Sequence, residues 1–99
     1  MITLKGSQKK YLKALGHHLK PIVNIGKANL TDNIIDKISR ELELHELIKI
    51  KLNESAEVSI KEAAEYIAEK TDCNIIRVIG FTALLYKRNE EEPIIELPK

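Results

Sequence analysis

The sequence predicts one α/β (α+β) domain, a four-stranded mixed sheet with helices packed against it, in the order α-β-α-β-α-β-β. Three observations predict it. Apolar residues recur at helical spacing in the segments 7–17, 31–45 and 59–71, and short β-rich runs occupy 22–25, 47–52, 74–79 and 82–87. Helices lie between consecutive strands and a hairpin closes the chain, which together give a mixed sheet carrying helices. Ninety-nine residues, with no internal repeat or linker, suffice for one core and not for two, so residues 1–99 are read as a single domain.

Taken in order, Ser7 is placed to cap the first helix, which runs to about His17. Leu12, Leu15 and Leu19 form its apolar stripe, with Tyr11 one turn before Leu15, and Lys9, Lys10 and Lys13 fall largely off it. Gly16 and Pro21 stop the helix. Ile22, Val23 and Ile25 make a short buried strand. Thr31 caps the second helix, Asp32 sits in its first turn and Leu30 can staple against Ile35. Ile34, Ile35, Ile38 and Leu42 form its buried face, and His45 lies near its end. In the next strand Ile48, Ile50 and Leu52 alternate with Lys49 and Lys51, predicting one buried face and one wet face. Ser59 and Glu62 read as a capping box for the third helix, although Ser55 is placed to start it a turn earlier. Ile60, Ala63, Ala64 and Ile67 supply that helix with its inner face. Gly80-Phe81 fits a type II′ turn between the last two strands. The tail is acidic and then apolar at Pro93, Ile94, Ile95 and Leu97, expected either to pack back or to end loosely.

Composition narrows the function classes. The chain is 43% apolar and 31% charged, as folded globular domains are. No apolar run approaches the ~20 residues of a membrane span, and the first residues lack the apolar core of an export signal. Cys73 is the only cysteine, which excludes an internal disulfide and fits a reducing cytoplasm, the expected location. The net charge of +1 conceals a segregation: residues 1–31 carry six lysines and no acid, whereas residues 32–99 carry ten Lys or Arg against fifteen Asp or Glu. A basic segment on a near-neutral chain reads either as a directed face for nucleic acid or as a solvated lysine surface.

The stretch 19–31 delivers a strand through Gly26-Lys27-Ala28-Asn29 into a helix start, where unpaired N–H groups, the helix dipole and Lys27 favour an anion. It lacks the GK[ST] ending of a nucleotide-hydrolysing loop and is closer to the Gly-x-x-Gly loop with which KH-type folds clamp a nucleic-acid backbone. Asn29 tolerates the left-handed backbone such a turn uses, although its side chain restricts close phosphate approach. His17, His18 and His45 have no partners at metal-ligand spacing, and one of the His17-His18 pair is a candidate phosphate contact. Cys73 reads as a buried, inert thiol. Phe81 at the hairpin tip reads either as a base-stacking residue or as one packed on a neighbour. Lys87-Arg88 either extends the basic surface or flanks the Glu90-Glu91-Glu92 run. No constellation points to an enzyme, a metal or a cofactor.

The segments LKALGHHLKPIVNIGKANLTDNIIDKI, ELHELIKIKL and IIRVIGFTALLYKR, then IELPK, resemble the CRM domain (chloroplast RNA splicing and ribosome maturation), and more closely its small stand-alone prokaryotic form, the YhbY-like proteins. The resemblance covers nearly the whole chain in order. It implies a fold similar to the C-terminal domain of translation initiation factor three, RNA binding and, for stand-alone members, association with precursors of the large ribosomal subunit. In multidomain plant relatives the module serves group II intron splicing. The family's Gly-x-x-Gly loop maps onto Gly26 to Asn29, with Asn29 in place of the last glycine. The hairpin position of Phe81 is often basic in relatives, and their terminal Leu-Tyr-Arg appears here as Leu85-Tyr86-Lys87.

The residues and the resemblance meet in one expectation: a non-catalytic, monomeric RNA-binding protein of the cytoplasm, with ribosomal RNA or the pre-ribosomal large subunit as partner and no membrane association. Its expected contacts are Lys9, Lys10, Lys13, His17, Lys20, Gly26, Lys27, Ala28, Asn29 and Lys87. The alternative is a protein-interaction module on a ribonucleoprotein assembly, docking a partner through the apolar tail 94–97 or the sheet edge beside it.

Overall fold

A computed structural model describes residues 1–26 and 30–99. The elements are α1 (Gly6–Gly16), β1 (Val23–Ile25), α2 (Asp32–His45), β2 (Leu47–Leu52), α3 (Ile60–Thr71), β3 (Asn74–Ile79) and β4 (Thr82–Tyr86), in the predicted order. The sheet runs β1-β2-β4-β3, with β1 parallel to β2 and the other pairs antiparallel. Parallel pairing of β1 with β2 follows from the α2 crossover, and Gly80, at φ +57°, turns β3 tightly into β4.

Helices cover both faces of the sheet. On one face α2 and α3 bury Ile38, Leu42, Ala64 and Ile67 against Val23, Ile25, Ile48, Ile50, Leu52 and Leu85. Each fully buried Ile or Leu there contributes about 2 kcal/mol by leaving water. The Thr31 hydroxyl accepts from the Ile34 N–H at 3.2 Å and the Ser59 hydroxyl from the Glu62 N–H at 3.1 Å, so Ser59 rather than Ser55 starts α3. On the other face α1 and the tail enclose Leu4, Leu12, Leu47, Ile76, Leu84 and Tyr86, with Ile2, Ile95 and Leu97 packed alongside. The face expected to be wet on β2 is therefore covered at Leu47, and only its lysine end is open.

Several expectations about α1 are corrected. Its N-cap is Lys5, whose N–H donates to Gln8 Oε1 at 2.9 Å, not Ser7, which lies inside the helix. Leu12 is fully buried, but Leu15 and Leu19 are each 37% exposed. The helix meets the sheet through Leu12 and Gly16, one turn apart, and a Cβ on Gly16 would lie 2.7 Å from Leu84 Cδ1 and 3.1 Å from Leu84 Cγ. Glycine is there because the helix comes too close to Leu84 for a side chain.

The tail packs back. Glu46 follows α2 at φ 62°, fully buried, and its carboxylate accepts the N–H groups of Asn89 (2.7 Å), Ile94 (2.8 Å) and Ile95 (2.6 Å). Gln8 Nε2 of α1 donates to the Pro98 carbonyl at 2.9 Å. Ile95 and Leu97 thus serve the chain's own core, while Ile94 is 57% exposed.

Candidate functional site

Each residue of an α-helix turns the side-chain direction by about 100°. With Leu12 and Gly16 against the sheet, the stripe Lys9, Lys13, His17 lies on one flank of α1 and Leu15 on the other, with Leu19 just past the end of the helix. These two flanks overhang two different cavities. The cationic flank faces β4 and β3, and the apolar flank faces β2 and the segment leading into β1.

Under the cationic flank is a cleft of about 160 Å³, lined by Lys13, His17, Lys49 and Arg77 around Gly16 and Leu84. The sheet register explains its floor. Lys49 on β2 and Arg77 on β3 both pair with Leu84 on the strand between them, so the two cations flank the leucine beneath Gly16. Arg77 reaches this face through a β-bulge. The register between β3 and β4 slips between Ile75 and Arg77, so Ile76 and Arg77 together oppose Leu84. Ile76 packs into the α1-side core and Arg77 lines the cleft. Regular alternation would have sent Arg77 to the opposite face.

Among the described residues, no carboxylate lies within ion-pair distance of Lys13, Lys49 or Arg77. Cations converging without counter-charge attract an anion, and the cleft has room for one phosphate group and a few waters. Further along the same face, Lys51 pairs with Thr82, which pairs with Ile79, so the open sheet beyond α1 continues the basic row. At that end the Leu52 N–H donates to the Phe81 carbonyl at 2.7 Å and the Asn53 N–H to the Ile25 carbonyl at 2.9 Å. Gly26, which leaves β1, and the hairpin tip therefore share one end of the sheet.

The structure gathers only part of the predicted site. Lys13 and His17 are in the cleft, Lys9 and Lys10 extend the exposed stripe, and Lys20 lies beyond α1 on the wall of the second cavity. Gly26 is exposed, and a Cβ there would meet nothing within 4 Å. Lys27, Ala28 and Asn29 lie outside the described residues. Lys87 sits at the far end of β4 from the hairpin, where its Nζ donates to the Thr71 carbonyl at 2.7 Å, and is not brought to the cleft. Phe81 is 43% exposed at its tip rather than packed away. The sequence does not reveal Lys49 and Arg77 as lining residues: Lys49 reads only as the wet side of a strand, and Arg77 depends on a bulge that nothing in the sequence announces.

The other reactive groups are occupied elsewhere. Cys73 is fully buried, and burial pushes its thiol pKa up, so it stays protonated and unreactive at neutral pH. The His17 and His18 rings meet edge-to-face at 5.4 Å. Among the described residues, no three His, Cys, Asp or Glu side chains group as a metal site, and no helix is long and apolar enough to cross a membrane.

Comparison with known proteins places this geometry in a wider set. A family model described as the CRS1 / YhbY (CRM) domain matches residues 4–87. The chain is 38% identical over 95 residues to a Bacillus subtilis protein named probable RNA-binding protein YqeI, covering 96% of this chain and 99% of that one. It is 35% identical over 99 residues to a protein of Haemophilus influenzae named RNA-binding protein, covering 100% and 99%. A solution structure of a hypothetical protein from Staphylococcus aureus superposes with a TM-score of 0.77 at 38% identity, covering 97% of this chain and 100% of that one.

Proposed function

This chain belongs to the CRS1 / YhbY (CRM) domain family, and from that membership we propose that it binds RNA, with α1 and the sheet face beneath it as the binding surface. The observation that carries the reading is the cleft itself: Lys13, His17, Lys49 and Arg77, from three elements, converge without a carboxylate among the described residues. Such a surface contacts phosphates and backbone shape more than base sequence. The proposal extends to precursor large-subunit ribosomal RNA as target, to a monomeric, cytoplasmic protein acting by binding and not by catalysis, and to Lys27 as a further phosphate contact. The names of the Bacillus and Haemophilus relatives support RNA as the partner.

The test is titration of a fluorescent large-subunit ribosomal RNA fragment at several salt concentrations. If about five phosphates are neutralised, the log–log salt slope on single strands is near −3.5. Arg77→Gln and Lys27→Glu should each weaken binding, the charge reversal about tenfold or more, since each 1.4 kcal/mol of lost contact is a factor of ten. A slope near zero at constant pH would overturn the electrostatic reading, and unchanged affinity of folded Arg77→Gln would remove the cleft from it.

A further inference from the structure

On the apolar flank of α1 is a second cavity, an open groove of about 440 Å³. Its walls are Leu15 of the α1 flank, Leu19 just past the helix, Ile22, Leu47, Ile48 and Ile95. Leu15, Leu19 and Ile22 are between 37% and 41% exposed and belong to neither core cluster, so the chain leaves them side by side without covering them. The polar groups on the groove are Lys20, Lys49 and His45, the last held at 3.3 Å from Glu41. No carboxylate lines it among the described residues.

Lys49 belongs to both cavities: it lines the cationic cleft on one side of α1 and the apolar groove on the other. An occupant matched to the pair must present an apolar body beside a negative charge. A nucleotide has that form. The groove falls within the range of about 300–1,000 Å³ typical of pockets for small organic groups, and the cleft falls below it. We infer that the groove receives an unstacked base of single-stranded RNA, while Lys49 and the adjoining cleft hold the neighbouring phosphates.

The inference rests on the RNA reading above and adds the form of RNA that fits. A continuous duplex keeps its bases stacked inside and cannot fill an apolar groove beside a phosphate site, whereas loops, bulges and ends can splay a base out. Selection for single strands then comes from the leucine flank of α1, and attraction to any RNA comes from its lysine flank.

The experiment compares three labelled oligoribonucleotides of equal length: a single strand, the same strand with abasic positions, and the perfect duplex. Wild type should bind the intact strand about tenfold more tightly than the abasic strand. Leu19→Ala, at a partly exposed site that leaves the core intact, should abolish that difference and leave duplex affinity unchanged. Equal wild-type affinity for intact and abasic strands would overturn the groove inference while leaving RNA binding in place. No binding to any of the three would overturn both. If Leu19→Ala instead changed sedimentation and left RNA affinity untouched, the groove would be a contact between copies of the chain, and the inference would fall.

Discussion

Gly16 shows how one missing side chain can position a site. In the sequence it reads as a helix stop, because glycine near a helix end followed by proline usually is one. In the fold it is a place where α1 lies directly against Leu84, which no spacing rule reveals. Gly16→Ala gains about 0.5–1 kcal/mol of helix propensity but inserts a methyl into a packed contact, an overpacking cost of about 1–3 kcal/mol. Urea unfolding should therefore show a net loss near 1 kcal/mol, and Leu84→Ala in the same chain should reduce that loss. Cys73 was legible: a lone cysteine at a strand entrance in apolar company is buried, and its thiol should resist alkylation at pH 8 until denaturant is added.

At the scale of elements, the order of helices and strands and two of the three helix caps could be read directly. Thr31 and Ser59 act within four residues of themselves, where local chemistry decides. What could not be read depends on partners far along the chain. The bulge that turns Arg77 into the cleft exists only against β4, and Glu46 finds its acceptor role only when residues 89–95 return to it. Nothing next to Glu46 distinguishes it from the exposed acids of α2. Glu46→Ala strands three N–H groups and should cost about 3 kcal/mol, with earlier proteolysis of the tail as the accompanying sign. Since Glu46 sits at positive φ, Glu46→Gly should be milder than Glu46→Ala by about 1 kcal/mol in the same urea assay.

For the molecule as a whole, charge segregation pointed to α1, which walls the cleft, but not to the cations that line it from the sheet. The acid-free first third supplies Lys13 and His17, whereas Lys49 and Arg77 come from the segment whose net charge is negative. Summed charge over a sequence window cannot show which cations a sheet will align. The same scale governs pH. Burial raises the pKa of Cys73, and burial followed by the nearby Glu46 raises that of Tyr86. Both groups ionise more readily unfolded, so their contributions are complete below the unfolded values of about 8.5 and 10 and decline as pH rises through the folded ones. The N-terminal ammonium, hydrogen-bonded to Asp72, lowers that carboxyl's pKa, so its contribution is lost as pH falls through the lowered value. Thermal unfolding followed by circular dichroism should give a Tm plateau near neutrality with a decline beginning above pH 8.5, and Cys73→Ala should flatten the onset of that decline.

The contact between Gln8 and Pro98 joins residues ninety positions apart, and Ile95 walls the groove beside α1. During synthesis α1 emerges from the ribosome before every strand it packs on, and the segment 95–98 that touches it follows β4. The lysine helix is therefore made long before it can dock, because Leu12 and Gly16 have no Leu84 to pack on until β4 follows. Binding competence should appear once β4 has left the tunnel, so that a stalled chain exposing only residues 1–75 binds labelled RNA poorly and one exposing residues 1–99 binds it like the free protein.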